Sequence, residues 1–331
     1  MANNKNTYYI NELLGSDDLN NGSINSPFKT FAKIQNNSII ILQGQFNSEF
    51  NSELNLANLS NIEIIGDNII PVSVVPKPIK IPPYTENYTD LNNTMPTYNI
   101  SNNPTLETIG APTNPTYNIR TFKMPIRNYT VKLFSINLTN CINIIISGLS
   151  ISNSYNINNI PIKKGIKLTS CINCVIRNCE LFSKISTEGW TKEDWNNNAA
   201  GVVILYGKGN RIMNCNIYNC GGIQVAGTNC IIANNYITDF PTDGSGLWAN
   251  NNLFANNRVQ NSKVVNNNHN DLFQSSVCVN NFILHNVFIA YTDPNAPFYN
   301  TAVQAFGCFD GWYKNYLVKG NIIYNDHPIG L

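Results

Sequence analysis

Ile231-Ile-Ala-Asn234-Asn-Tyr-Ile237 and Leu253-Phe-Ala-Asn256-Asn-Arg-Val259 are two copies of one phrase. It usually reads apolar, apolar, any residue, Asn or Gly, a small or polar residue, any residue, apolar. Upstream it stands at Val175-Ile-Arg-Asn178-Cys-Glu-Leu181 and Arg211-Ile-Met-Asn214-Cys-Asn-Ile217. Downstream it returns at Ile283-Leu-His-Asn286-Val-Phe-Ile289 and Leu317-Val-Lys-Gly320-Asn-Ile-Ile323. Ile145-Ile-Ser-Gly148-Leu-Ser-Ile151 is an earlier copy, and Asn61-Ile-Glu-Ile-Ile-Gly66 stands earlier still. The anchors Gly148, Asn178, Asn214, Asn234, Asn256, Asn286 and Gly320 lie about 20 to 36 residues apart, a period that signals a repeat architecture.

Such a phrase at such a period describes the coils of a parallel β-helix. Each coil is a set of short strands joined by turns, with apolar side chains alternating inward and stacking on the coil below at about 4.8 Å. Asn or Gly at the anchor suits a turn residue with positive φ. Asn above Asn also allows amide-to-amide bonds along the axis. An ordinary β-sandwich has no need of the same Asn-centred phrase in every unit.

Composition agrees. Of 331 residues, 12% are charged and 43% are apolar, with a net charge of +1. Ordinary domains carry about 25% charged residues; here Asn, roughly 60 residues, is the main polar type beside about 40 Ile. The near-zero charge excludes a nucleic-acid binder working through a basic field. Asn and Ile are mediocre helix formers, and the apolar fraction is ample for a core, so neither a helical nor a disordered chain fits. No apolar run is long enough for a membrane span, and Met1 to Ile10 shows no secretory signal. The expected location is virion-associated or cytoplasmic. Nine Cys without such a signal argue against a disulfide framework, and Cys171-x-x-Cys174, lacking a second pair, reads as buried packing.

The N-terminal stretch Tyr8-Tyr-Ile to Asp17-Asp-Leu-Asn-Asn-Gly22 and Ser26-Pro27-Phe-Lys-Thr30 resembles the entry segment of right-handed parallel β-helix proteins of the pectate-lyase-like superfamily. The resemblance implies an all-β, single-stranded right-handed solenoid whose open end is closed by a cap, with a short helix from Thr30 to Ile34. Asp17, Asp18, Asn20 and Gly22 carry a faint likeness to a calcium loop, for which turn chemistry is the plainer reading. The expected organisation is a cap and first coil over residues 1–70, an irregular Pro/Thr/Asn-rich insertion packed on the helix over 71–130, and coils over 131–331. A smaller insertion, Ser186 to Asn198, carries Trp190 and Trp195. The chain stops soon after the Gly320 coil, which suggests a homo-oligomer such as a trimer.

Aligned on the strand after each loop, Gly221-Gly-Ile-Gln224, Asp243-Gly-Ser-Gly246, Asp271-Leu-Phe-Gln274 and Thr301-Ala-Val-Gln304 fall into step, and His327-Pro-Ile-Gly330 continues the column. The stretch from Asp243-Gly to His269-Asn-Asp271-Leu-Phe-Gln274 is similar to an Asp-Gly motif and a His-x-Asp-Gly-x-Gln motif on successive coils of phage and bacterial members of that superfamily. Here Leu272 replaces the Gly. The resemblance implies a site and association with virions or glycans.

Two carboxyls one coil apart repel, so one retains its proton, which supplies an acid and a base for glycosidic hydrolysis. Asp243, Asp271 and His269 are therefore the candidate catalytic residues. Gln274, Gln304, Trp248, Trp312, Arg258 and His327 are the candidate substrate-binding residues, with Tyr206 a further stacking ring. No resident metal is expected, although calcium held by the same carboxylates would suit a lyase, with Arg258 or Lys263 as base. A uronan C5-epimerase shares the same groove. The expected partner is a polysaccharide or cell-surface glycan. The competing reading is a non-catalytic spike, fibre or glycan-binding β-helix.

Overall fold

The computed structural model describes residues 5–44, 53–66, 69–72, 126–129, 131–152, 165–199, 203–263, 265, 270–276, 278–290, 303–308 and 313–325. The chain divides into two units, one of residues 1–70 with 128–331 and one of 71–127. The central part of the expected long insertion, 73–125, lies outside the described residues.

The first unit is a right-handed parallel β-helix. Among the described residues it has three long parallel sheets. Sheet one has ten strands, from Asn6–Ile10 to Leu317–Lys319. Sheet two has eight, from Lys132–Leu133 to Ile322–Asn325. Sheet three has eight, from Glu53–Ala57 to Gly307–Cys308. One coil visits them in turn: Ile231–Ala233 on sheet one, Tyr236–Phe240 on sheet two, Ser245–Leu247 on sheet three, then Leu253–Ala255 back on sheet one.

The phrase folds this way because its apolar positions coincide from coil to coil. On sheet one, Ile64, Ile146, Ile176, Ile212, Ile232, Phe254 and Ile283 pair in a continuous column, and none exposes any surface. On sheet two, Leu181, Ile217, Ile237, Val259 and Phe288 pair in a second buried column. Each buried Ile or Leu contributes about 1.5–3 kcal/mol. A register slip of one residue would turn every one of them to solvent. Toward the last coils the core is aromatic: Phe273 stacks on Phe306 at 4.9 Å, and Phe254 on Phe288 at 6.2 Å.

Left-handed residues make the corners, most regularly in two columns. Between sheets one and two stand Gly148, Asn178, Asn214, Asn234, Asn256, His285 and Gly320, all with positive φ. The expected anchor Asn286 is displaced by one residue, because Leu284 rather than His285 pairs with Ala255. That register places Asn286 in a buried ladder. The backbone N–H and side-chain amide of Asn235 both donate to Asn257 Oδ1 at 3.0 Å. Asn257 donates likewise to Asn286, and Asn286 to Asn321. The second corner column, between sheets three and one, includes Asn61, Asn143, Asn173, Asn229, Asn251, Asn280 and Asn315. There the amides bond along the axis at the surface, as in Asn280 to Asn251 and Asn315 to Asn280, both 2.9 Å.

At the entry, a 3-10 helix of Phe31–Lys33 takes the place of the expected Thr30–Ile34 helix, with the Thr30 hydroxyl accepting from the Ala32 N–H. Asp17 accepts the N–H groups of Lys29 and Thr30. Partial burial works against its charge, but the bonds from Thr30 and Lys29 outweigh that and hold its carboxyl below the usual range. Asp17 therefore serves this turn. The Ser186 to Asn198 insertion contains the helix Lys192–Asn198, closed by a reciprocal Thr191–Asp194 capping box. Its Trp195 packs edge-on to Trp190 and beside Val265. Cys171 and Cys174 are buried, and their thiols donate to carbonyls of their own and the preceding coil.

The buried ladder carries more stability than the surface ladder. Asn257→Ala leaves buried donors of Asn235 without an acceptor and should cost about 2–4 kcal/mol. Asn251→Gly keeps the left-handed corner and loses only exposed bonds, so it should cost less than about 1 kcal/mol. Denaturant midpoints of the two variants give the comparison; equal losses would contradict the assigned role of the inner ladder.

Candidate functional site

The carboxyl pair sits where the chain turns from sheet two into sheet three. In the coil of Asp243 this turn is tight: Phe240 ends a strand and Ser245 begins the next. Tightness demands glycine. A Cβ on Gly222 would lie 1.9 Å from the Gly244 carbonyl oxygen, and one on Gly244 would meet the Phe240 ring at 2.6 Å. In the following coil Leu272 stands where the motif has Gly. Its side chain is wholly buried in the core, and its backbone is outside the left-handed region. The substitution therefore adds to the core at this level.

The structure brings Asp243 and Asp271 together. The Asp271 N–H donates to Asp243 Oδ1 at 3.0 Å, and the Gly244 N–H donates to the Asp271 carbonyl at 2.8 Å. Asp243 is half-buried, whereas Asp271 has 0% exposure. Burial, and then the charge of Asp243, push the Asp271 carboxyl up to about 7. The pair is thus split into one carboxyl that holds its proton near neutrality and a neighbour one coil away.

One alignment is corrected. Gln224, Gly246 and Gln274 do form a column on sheet three, but its next member is Gly307. Gln304 stands instead opposite Asp271, and the Leu272 N–H donates to its carbonyl at 2.8 Å. Register follows the core: it sets Phe306 on Phe273, a stack that matching Gln304 to Gln274 would forfeit. Asp243, Asp271 and Gln304 therefore climb three successive coils. Gln304 is 7% exposed, and its Oε1 accepts no hydrogen bond among the described residues.

Beside this climb, the outward column of sheet three is open at Gly246. Trp248 leans across the bare glycine and donates its indole N–H to Gln224 Oε1 at 2.5 Å. A Cβ on Gly246 would fall 2.5 Å from that oxygen and 2.7 Å from the indole nitrogen. Trp248 is half-buried, and Gln274 is half-buried on the next coil. Tyr206 is 43% exposed on the same outward row as Trp248, with Ala226 between them. Gln224, aligned with Gln274 in the sequence but not counted there among the candidate binding residues, joins the site through that shared column.

Arg258 and Lys263 are engaged elsewhere. Arg258 begins a strand of sheet two, is 7% exposed, and donates Nε to Gln260 Oε1 at 2.6 Å, with Gln260 in turn donating to the Tyr236 hydroxyl. Desolvation lowers its affinity for the proton. Lys263 pairs with Asp239 at 3.1 Å. His269, Trp312 and His327 lie outside the described residues. Among the described residues no three His, Cys, Asp or Glu gather as metal ligands would, and no helix is long and apolar enough to cross a membrane.

No family model matches the chain, and no curated protein does. Among solved structures it is similar to a GH136 lacto-N-biosidase from Eubacterium ramulus, with a TM-score of 0.44 and 12% identity over 96% of this chain and 57% of that one. It is similar to a pectate lyase from a Bacillus species in complex with trigalacturonate, with a TM-score of 0.39 and 13% identity over 88% of this chain and 76% of that one. A third similar structure is the tailspike protein of an E. coli bacteriophage in complex with a pentasaccharide, at 0.38 and 11% over 98% and 56%. The chain spans little more than half the length of the first of these. Likeness at this identity concerns fold alone.

The Asp271 carboxyl makes stability depend on pH with a definite sign. Its folded value of about 7 lies above the 3.8 ordinary for an aspartate. The folded state therefore favours the protonated form, and the contribution is complete below about 3.8 and lost as pH rises through 7. Asp271→Asn fixes the neutral form. It should leave thermal stability near that of the parent at pH 4 and raise it at pH 8, by at most about 4 kcal/mol. Equal effects at both pH values would show that Asp271 does not titrate in this range.

Proposed function

We propose that this β-helix acts on a polysaccharide lying along sheet three, with Asp271 as the acid and Asp243 as its partner base. The observation that carries the reading is the stacked carboxyl pair, one member of which is pushed to about 7. An acid that holds its proton near neutral pH can protonate a leaving glycosidic oxygen, and the second carboxylate can activate water or attack the sugar. Stacking on successive coils sets the pair about 4.8 Å apart along the axis, close enough to flank one bond. His269, two residues ahead of Asp271 in the sequence, is proposed to share the proton. Gln274, Gln304 and Trp248 are proposed to hold hydroxyls and a sugar face.

A specific observation favours a second reading. Asp271 is wholly buried, and Asp243 receives its backbone N–H, so the pair also serves the turn itself. In that reading the chain is a glycan-binding spike, fibre or surface module and does no chemistry. Self-association belongs to the same reading, and sedimentation would give its stoichiometry.

The two readings separate in one assay. Plant, algal and bacterial polysaccharides are incubated with the protein, and reducing ends and unsaturated uronates are followed. The enzyme reading expects reducing ends, an alkaline limb in the rate as pH passes about 7, and losses of roughly 10²-fold or more in Asp243→Asn and Asp271→Asn. Activity that persists in both variants would remove the site assignment. No product from any polymer, with glycan binding retained, would establish the module.

A further inference from the structure

We infer that Gln224, Gly246 and Trp248 form a stacking subsite that is set before any sugar arrives. Gln224 positions the indole over the bare strand at Gly246, and the indole takes the apolar face of one sugar ring beside the carboxyl pair. The inference rests on the glycan reading above and adds two residues to it, one that positions the ring and one that decides whether a sugar can be held there. Its first support is the glycine. Gly246 lies inside the strand Ser245–Leu247 of sheet three, between Gln224 and Gln274 in the outward column. A glycine inside a strand weakens it and often marks a close approach by another group. The backbone does not call for glycine here, because Gly246 is outside the left-handed region. Space does. A Cβ there would meet Gln224 Oε1 at 2.5 Å, and the indole Nε1 and Cε2 at 2.7 and 2.8 Å. Gly246 is buried although its column faces outward, with these two side chains over it.

The second support is the bond that holds the ring. An indole N–H only donates, so Gln224 must turn its carbonyl oxygen toward Trp248, and the two meet at 2.5 Å. That leaves the amide NH2 of Gln224 to donate to a sugar hydroxyl. Trp248 and both flanking glutamines are half-buried, so the ring and the amides keep surface toward solvent. The polar edge of the indole is already engaged with Gln224, and its apolar face is what a ligand meets. A ring already bonded in place loses little freedom when a ligand binds, which favours binding. The platform is also close to the carboxyls. Gly246 follows Asp243 by three residues, as Gln274 follows Asp271. At about 3.3 Å per residue, at most about 10 Å of extended chain separates Gly246 from Asp243. A sugar held here is a near neighbour of the one that faces the pair.

The test is calorimetric binding by the whole chain at neutral pH. The probes are oligomers of glucose, galactose, xylose, N-acetylglucosamine, galacturonate and mannuronate, and the tightest of them is carried into the variants. Trp248→Ala should weaken it tenfold or more. Gly246→Ala puts a methyl group where the pair lies and should weaken it to a similar degree. Its denaturant midpoint should hold or rise, because alanine suits a strand better than glycine and the ends of two outward side chains can swing aside. Gln224→Met keeps the length and removes the acceptor; it should weaken binding several-fold and shift the indole proton resonance of Trp248. Gln224→Glu restores an oxygen for the indole N–H and should return that resonance toward its parent position. Affinity within twofold of the parent in both Trp248→Ala and Gly246→Ala would overturn the inference and leave the glycan reading standing. An indole resonance unmoved in Gln224→Met would remove Gln224 as the positioning residue and overturn the inference as well. Binding to none of the oligomers would overturn both.

Discussion

Coil-to-coil register is the constraint on which everything else here depends. A parallel coil has no partner other than the coils above and below, so its backbone bonds, its core and its corners must all agree on one alignment. The Ile column of sheet one states that alignment in apolar surface. The ladder of buried Asn235, Asn257 and Asn286, ending at half-buried Asn321, states it again in hydrogen bonds, which an off-register amide inside the core would leave unmade. The left-handed Asn corners state it a third time, because few other L-residues accept positive φ at low cost.

Register also positions the carboxyl pair. Asp243 and Asp271 are far apart in sequence and adjacent in space only because their coils are stacked. The tight turn that exposes Asp243 requires Gly222 and Gly244 in the neighbouring backbones. One coil later Leu272 takes the corresponding position and is wholly buried. The change from Gly to Leu thus accompanies the change from a half-buried Asp243 to a fully buried Asp271. The raised affinity of Asp271 for its proton follows from that burial and from its acidic neighbour together.

The parts of this arrangement legible in the sequence are those with a strong physical period. Coils, corner anchors and the facing of Asp243 and Asp271 follow from repeated apolar pairs and from Asn or Gly at fixed offsets. Readings based on one polar residue fared less well. Gln304 looked like the partner of Gln274, yet it faces Asp271, because the Phe273 and Phe306 stack outweighs any gain from aligning two amides. Asn286 looked like a corner, yet His285 takes the left-handed turn so that Asn286 can enter the buried ladder. Arg258 looked like a site cation, yet it lies on sheet two, bonded to Gln260.

By itself the sequence determined the architecture, since a phrase repeated with an apolar period can bury its core only by stacking on itself. It also determined the scarcity of charge that makes the two Asp conspicuous. Only the tertiary structure decided which of them is buried, which outward residues gather over Gly246, and where each cation is spent. Those depend on side chains from different coils meeting across the helix surface, and loops of unequal length between coils hide such meetings from any linear spacing.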